Sequence, residues 1–265
     1  MSEEQQKLGG VELRPDLFTL RTLLVNLCFI GEPRSSSWVL IDTGLFHYAE
    51  RISKLAEERF SSPPQAIILT HGHFDHVGSV QSLLKRWDVP VYAHPLELPY
   101  LQGKASYPPA DPSVGGGLLS LLSALFPNEG LNLGDQVRAL PADGTIPYLP
   151  QWQWIHTPGH TPGHISLFRE QDRIVIAGDA FLTVKQESAL AVLNQEKAIH
   201  GPPKYFTINW TEAMRSLQRI ADLKPDLAIT GHGHPMEGEE LRLGLESLIN
   251  NFSVEAIPEH ERYVD

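Results

Sequence analysis

HGHFDHVG, residues 71–78, places three histidines and an aspartate within six positions, directly after the apolar run AIIL at 66–69. That run follows a Pro63-Pro64 break and reads as a buried strand. Beyond the cluster, Val77, Val80, Leu84 and Trp87 recur at steps of three and four, the spacing of one helix face. The histidines therefore lie on a strand-to-helix turn. His71 and His73, two apart on extended chain, point to the same side, while Asp75 and His76 open the helix and face a neighbouring volume. One loop can in this way serve two adjacent metal ions. Imidazole nitrogen and carboxylate oxygen suit zinc, and also iron, manganese or cobalt, and no cysteine nearby offers a thiolate. A set of solvated surface histidines is the competing reading. It leaves unexplained why four potential ligands stand between a buried strand and a helix.

The other histidine clusters fall in the same kind of place. The chain has 12 histidines; His156, His160 and His164 belong to the stretch around TPGHTPGH (157–164), and His232 and His234 to GHGHP. Residues 152–157 read as a strand entering the Thr-Pro-Gly-His doublet, and HISLFRE (164–170) with RIVIAGD (173–179) as a hairpin turning at Gln171-Asp172. Asp179 stands where that strand ends. Asn209 is placed to cap the helix WTEAMRSLQRIADL, with Glu212 three residues on, and Lys224-Pro225 stops it before the strand DLAIT. Upstream, LRTLLVNLCFI (20–30) and SWVLIDTG (37–44) read as strands about a turn at Gly31–Ser36, and HYAERISKLAEERF (47–60) as a helix. Polar clusters that follow apolar strands are how α/β proteins build sites. Two stretches break the alternation. Residues 99–135 surround a short apolar helix in which Leu118, Leu121, Leu122 and Leu125 share a face, and residues 183–208 form a second irregular insertion; long connections of this kind are often lids or substrate walls. With no low-complexity linker to divide it, residues 1–265 read as a single domain.

Composition narrows the partners. At 265 residues and 42% hydrophobic content the chain is long enough and apolar enough to bury a core. The 32 acidic against 21 basic side chains give a formal charge of -11, the wrong sign for gripping a phosphate backbone, so nucleic acid is not the expected partner. No apolar run approaches the roughly 20 residues of a membrane span. A single cysteine, Cys28, cannot form an internal disulfide, and MSEEQQKLGG lacks the pattern of a secretory signal. A cytoplasmic location and a small-molecule substrate are expected, with the oligomeric state open.

HGHFDHVG resembles the His-x-His-x-Asp-His signature of the metallo-β-lactamase superfamily. TPGHTPGH, AGDA and TGHGHP follow in the order and approximate spacing of that family's later metal-binding motifs, and Asp42-Thr43-Gly44 matches the turn common before the first. The resemblance spans residues from about 20 to 240 and implies an α/β fold, the four-layered αββα sandwich. It places one metal on His71, His73 and His160, a second on Asp75, His76 and His232, and Asp179 between them. Zinc is the expected metal of both sites. Two such ions roughly 3.5 to 4 Å apart share a hydroxide that attacks a carbonyl, and metal binding brings the pKa of water to about 7. Hydrolysis is the implied reaction, with Asp75 and Asp179 as its catalytic carboxylates.

The remaining candidates are weighed against that pattern. The family's ligand in the doublet corresponds to His160, which leaves His164 at the start of the next strand as a buried histidine bonded within the loop or to a neighbouring ligand. His232, directly after Thr230-Gly231, is favoured over His234. His94 reads as structural; His47, His156, His200 and His260 as satisfied or solvated; and Asp42 as orienting a ligand loop. Gly178-Asp179-Ala180 lacks the nearby cysteine of β-lactam-hydrolysing members that use one. The short C-terminal stretch after His234, with Arg242 and Arg262, lacks the basic helical extension of glyoxalase II. Acyl-homoserine lactonases share the seven-ligand pattern and have a tyrosine near the metals, a role open to Tyr205 in PPKYFT, where core packing is the competing reading. The expectation is a hydrolase of a lactone, thioester or ester. The alternatives are a mononuclear iron persulfide dioxygenase of the same fold, a β-lactam or phosphodiester hydrolase, or a binding protein that keeps its metals for structure.

Overall fold

A computed structural model describes residues 10–114, 122–184 and 198–258. The described residues fall into two compact units, one from 10–105 with 130–150, the other from 106–129 with 151–258. Each is a sheet with helices packed on it, so the α/β class holds for both.

The first unit is a seven-stranded sheet in sequential order: β1 (Gly10–Arg14), β2 (Leu17–Thr22), β3 (Val25–Ile30), β4 (Val39–Ile41), β5 (Ala66–Ile68), β6 (Val91–Ala93) and β7 (Val137–Ala139). β1 to β4 pair antiparallel, and β4 to β7 pair parallel. Helices α1 (Ala49–Arg59), α2 (Phe74–Val77), α3 (Val80–Leu84) and α4 (Leu98–Leu101) occupy the connections. Ile52, Leu55 and Ala56 of α1 are buried with Val77, Val80 and Leu83 against Leu20, Leu27, Phe29, Leu40 and Ile67 of the sheet. Trp38 anchors this core, stacked on Phe60 at 4.2 Å and 7°, while its indole N–H donates to the Ser62 carbonyl at 2.8 Å. Both polar and apolar demands of that large side chain are thus met.

The second unit is a five-stranded sheet, β12-β11-β10-β9-β8, formed by β8 (Gln153–His156), β9 (Ile165–Arg169), β10 (Ile174–Gly178), β11 (Leu227–Thr230) and β12 (Met236–Glu237). Helices α5 (Trp210–Asp222), α6 (Gly238–Asn250) and α7 (Phe252–Glu255) complete it. Val175, Ala177 and Ala228 pack against Ala213, Leu217 and Ile220 of α5 and Leu241, Leu245 and Leu248 of α6. The Asn209 side chain accepts the Glu212 N–H at 2.9 Å, so α5 starts where its cap was read.

Two sequence readings need correction. Residues 20–30 are not one strand: the chain reverses at Leu23-Leu24, where Leu23 takes φ 63°, and β2 and β3 pair from Thr22↔Val25 back to Leu17↔Ile30. The helix read through 77–87 is broken at Gly78-Ser79 into α2 and α3. In the insertion at 99–135, most of the segment read as a short apolar helix, Leu118 and Leu121 included, lies outside the described residues; Leu122 is helical and a 3₁₀ turn, Ser123–Leu125, follows it, with Leu125 79% exposed. Among the described residues, no helix is long and apolar enough to cross a membrane.

Candidate metal centre

In the first unit the parallel pairing of β4, β5 and β6 brings their C-terminal ends to one edge. Asp42 follows β4, His71 follows β5 after Leu69-Thr70, and His94 follows β6. His71 and His73 have ring centroids 4.8 Å apart, and His71 and His76 are 4.2 Å apart. All three rings are buried, while Asp75 is half-buried. The Asp42-Thr43-Gly44 turn grips α2 directly: the Thr43 N–H and hydroxyl both donate to the His76 carbonyl, at 2.8 and 3.0 Å, and the Gly78 N–H donates to the Gly44 carbonyl at 2.9 Å.

Hydrogen bonds around Asp42 decide which nitrogen each ring presents. Asp42 Oδ2 accepts the Thr70 hydroxyl at 2.7 Å, which spends that group's only proton, so Thr70 Oγ1 accepts from His71 Nδ1 at 3.1 Å. His76 Nδ1 donates to the same Asp42 oxygen at 2.8 Å. Both rings therefore carry their proton on Nδ1 and offer Nε2 to a metal, the arrangement in which an outer carboxylate or hydroxyl fixes ring orientation and raises ligand basicity. Asp42 orients the loop, as read from the sequence. Glu97, fully buried, accepts the Gly72 N–H at 3.0 Å and holds the middle of the His-Gly-His segment. No sequence signal distinguished Glu97, because it is remote in the chain and its partner is a backbone amide.

In the second unit, β10 and β11 run parallel, and β8 shares their direction because it pairs antiparallel with β9, itself antiparallel to β10. Asp179, His232 and the Thr-Pro-Gly-His loop consequently leave from the same edge. His160 Nδ1 donates to Thr207 Oγ1 at 3.3 Å, since the Thr207 hydroxyl donates to the Pro203 carbonyl at 2.8 Å, so His160 also presents Nε2. Asp179 Oδ2 lies 3.5 Å from His160 Nε2 and 3.4 Å from His232 Nε2. An edge of about 3.4 Å is that of a tetrahedron whose vertices lie about 2.1 Å from its centre, the bond length of zinc to nitrogen or oxygen. Spacing and donor types both fit a divalent metal.

Other candidates have other tasks. His164 is fully buried and bonded at both ring nitrogens, with Nδ1 at 2.9 and 3.1 Å from the Thr157 hydroxyl and carbonyl and Nε2 accepting the Asp179 N–H at 2.9 Å. Gly159 takes φ 132°, where a Cβ would come within 2.4 Å of the Ala213 amide, so this glycine lets the loop lie against the start of α5. His94 Nδ1 accepts the Leu96 N–H at 3.2 Å and caps a short turn. His156 Nε2 donates to the Pro162 carbonyl at 2.9 Å, and His47 is exposed. The His234 carbonyl accepts the Thr183 hydroxyl at 2.7 Å. His200 bonds through its backbone to Leu182, and His260 lies outside the described residues. Tyr205 is buried between Phe126 and Phe206, at centroid distances of 5.9 and 5.1 Å.

Known proteins are similar to this chain. The Bacillus subtilis protein named "Probable metallo-hydrolase YflN" is 47% identical over 248 residues, 92% of this chain and 94% of its own. The hydroxyacylglutathione hydrolase GloC of Haemophilus influenzae is 29% identical over 131 residues, 49% of this chain and 56% of its own. The crystal structure of TTHA1623 in a di-iron-bound form is 29% identical, with a TM-score of 0.59 over 88% of this chain and 98% of that one. Residues 21–232, which hold the first three motifs and the fourth as far as His232, match the sequence profile of the metallo-beta-lactamase superfamily, and the chain belongs to that family.

Proposed function

We propose that the chain is a hydrolase of small carbonyl substrates, a lactone, thioester or ester, working with two divalent metal ions. The observation that carries this reading is the common tautomer of His71, His76 and His160: each spends Nδ1 on a carboxylate or hydroxyl and presents Nε2. By the family's motif order, His71, His73 and His160 would hold one ion and Asp75, His76 and His232 the other, with Asp179 contributing to both. When bound, such ions acidify water to near neutrality and polarise a carbonyl. Asp179 orients the ions' donor set through its carboxylate, and Asp75, half-buried at the start of α2, is the group with access to carry a proton to the leaving oxygen or sulfur. The hydroxyacylglutathione hydrolase name of one relative supports acyl transfer to water as the reaction class. Zinc suits the donors, and the di-iron relative supports iron as the alternative.

Elemental analysis of purified protein, followed by a panel of lactones, thioesters, esters, β-lactams and phosphodiesters, tests the proposal. Two metal equivalents and turnover of a carbonyl ester are expected, with His160→Ala lowering kcat/KM by at least about 100-fold. About one iron per chain with oxygen consumption and no hydrolysis would establish the persulfide dioxygenase reading instead. A chain that binds metal and turns over nothing in the panel would be a binding protein.

A further inference from the structure

We infer that His164 is a positioning residue, the second link in a proton-ordered chain of buried hydrogen bonds that fixes Asp179 for metal binding. The chain begins at the Asp179 amide, which can only donate, and reaches His164 Nε2 at 2.9 Å. His164 therefore carries its proton on Nδ1, which donates to Thr157 at its carbonyl and Oγ1. At the far end the Ser166 hydroxyl donates to the Ala177 carbonyl at 3.0 Å, a group that can only accept. Ser166 has then spent its proton, so the 3.0 Å contact between Thr157 Oγ1 and Ser166 Oγ runs from Thr157 to Ser166. Both ends impose one direction: Asp179 to His164 to Thr157 to Ser166 to Ala177.

The path closes on itself structurally. Ala177 lies on β10 and Asp179 just beyond it, Ser166 lies on β9, and Thr157 lies at the end of β8, so the chain ties three strand ends to the residue proposed to hold both ions. Thr157, His164, Ser166 and Asp179 are all buried, where a satisfied network rigidifies its surroundings and a broken one is costly. A metal on His164 would have to take the nitrogen that receives the Asp179 amide, or the proton that Thr157 receives. This assignment rests on the reading of Asp179 as a metal ligand.

Nitrogen-15 NMR of the metal-free protein tests the first link directly, through a scalar coupling across the hydrogen bond between the Asp179 amide nitrogen and His164 Nε2. Metal affinity, measured by competition with a chromophoric chelator, and the metal-free Tm are then compared for His164→Leu, His164→Gln, Thr157→Val and Asp179→Asn. His164→Leu should weaken metal binding about 10- to 100-fold, beyond any change in Tm. His164→Gln, which keeps an acceptor for the amide, should recover most of that loss, and Thr157→Val, which keeps the carbonyl, should lose less than His164→Leu. Absence of the coupling, or His164→Leu and Thr157→Val binding metal as the unaltered protein does while Asp179→Asn does not, overturns the inference alone. Unchanged affinity in Asp179→Asn overturns the ligand reading beneath it.

Discussion

Asp42 adopts φ 58°, a left-handed conformation that costs a non-glycine residue about 1 kcal/mol or more. Its oxygens accept the Thr70 N–H at 2.8 Å, the Thr70 hydroxyl and His76 Nδ1, so a single strained residue sets two rings of the candidate metal centre, His76 directly and His71 through Thr70. An asparagine would set an amide N–H₂ or oxygen where the carboxylate serves three donors. Asp42→Asn should weaken metal binding about 10- to 100-fold, read by chelator competition; unchanged affinity would remove Asp42 from this role. Cys28 pairs with Ile41 beside it. Burial first, and the Asp42 charge second, push its thiol well above the ordinary range. The folded chain thus keeps the proton that the unfolded chain releases at alkaline pH. This contribution to stability is complete below the ordinary thiol pKa and lost as pH rises through the folded value. Native protein at pH 9 should resist a thiol-reactive dye until denaturant is added; rapid labelling without it would contradict the buried placement.

At the scale of elements, the β2–β3 hairpin turns on Leu23, which is 66% exposed at φ 63°. Leu23→Gly should relieve the left-handed cost at the expense of unfolded-state entropy, a net gain of up to about 1 kcal/mol. Denaturant titration measures it, and a loss of stability would show that the leucine side chain packs where it stands. The same turn shows why the sequence misleads there: Leu23-Leu24 carries none of the glycine, asparagine or proline that usually marks a reversal, so two strands read as one. β6 and β7, three residues each, are too short for periodicity to declare them. By contrast, Asn209 and Glu212 announced α5, and AIIL followed by HGHFDHVG announced both a strand and its polar end. His160 and His164 occupy the same local sequence, Thr-Pro-Gly-His. What separates them is which residue lies opposite, Thr207 before α5 for one and Asp179 after β10 for the other, and that is a property of tertiary placement rather than of spacing.

For the whole molecule, metal and stability are linked. Ions that bind the folded chain and not the unfolded one add about 4 kcal/mol at a thousandfold excess over Kd. Dialysis against a chelator should therefore lower Tm by several degrees and re-addition of zinc restore it; a Tm indifferent to chelator would contradict the proposed metal loading. The parallel strand ends carry a practical consequence as well. In the second unit β8 and β10 deliver Thr157 and Asp179 at one edge, so the turn between β9 and β10, residues 170–173, lies at the opposite edge. There Arg169 clasps Asp172 through two hydrogen bonds of 2.8 and 2.7 Å, and Glu170 and Gln171 stand exposed. This turn is a handle: a fluorophore or surface linker attached at Gln171 would tether the protein by the edge of this sheet remote from the residues proposed to bind metal.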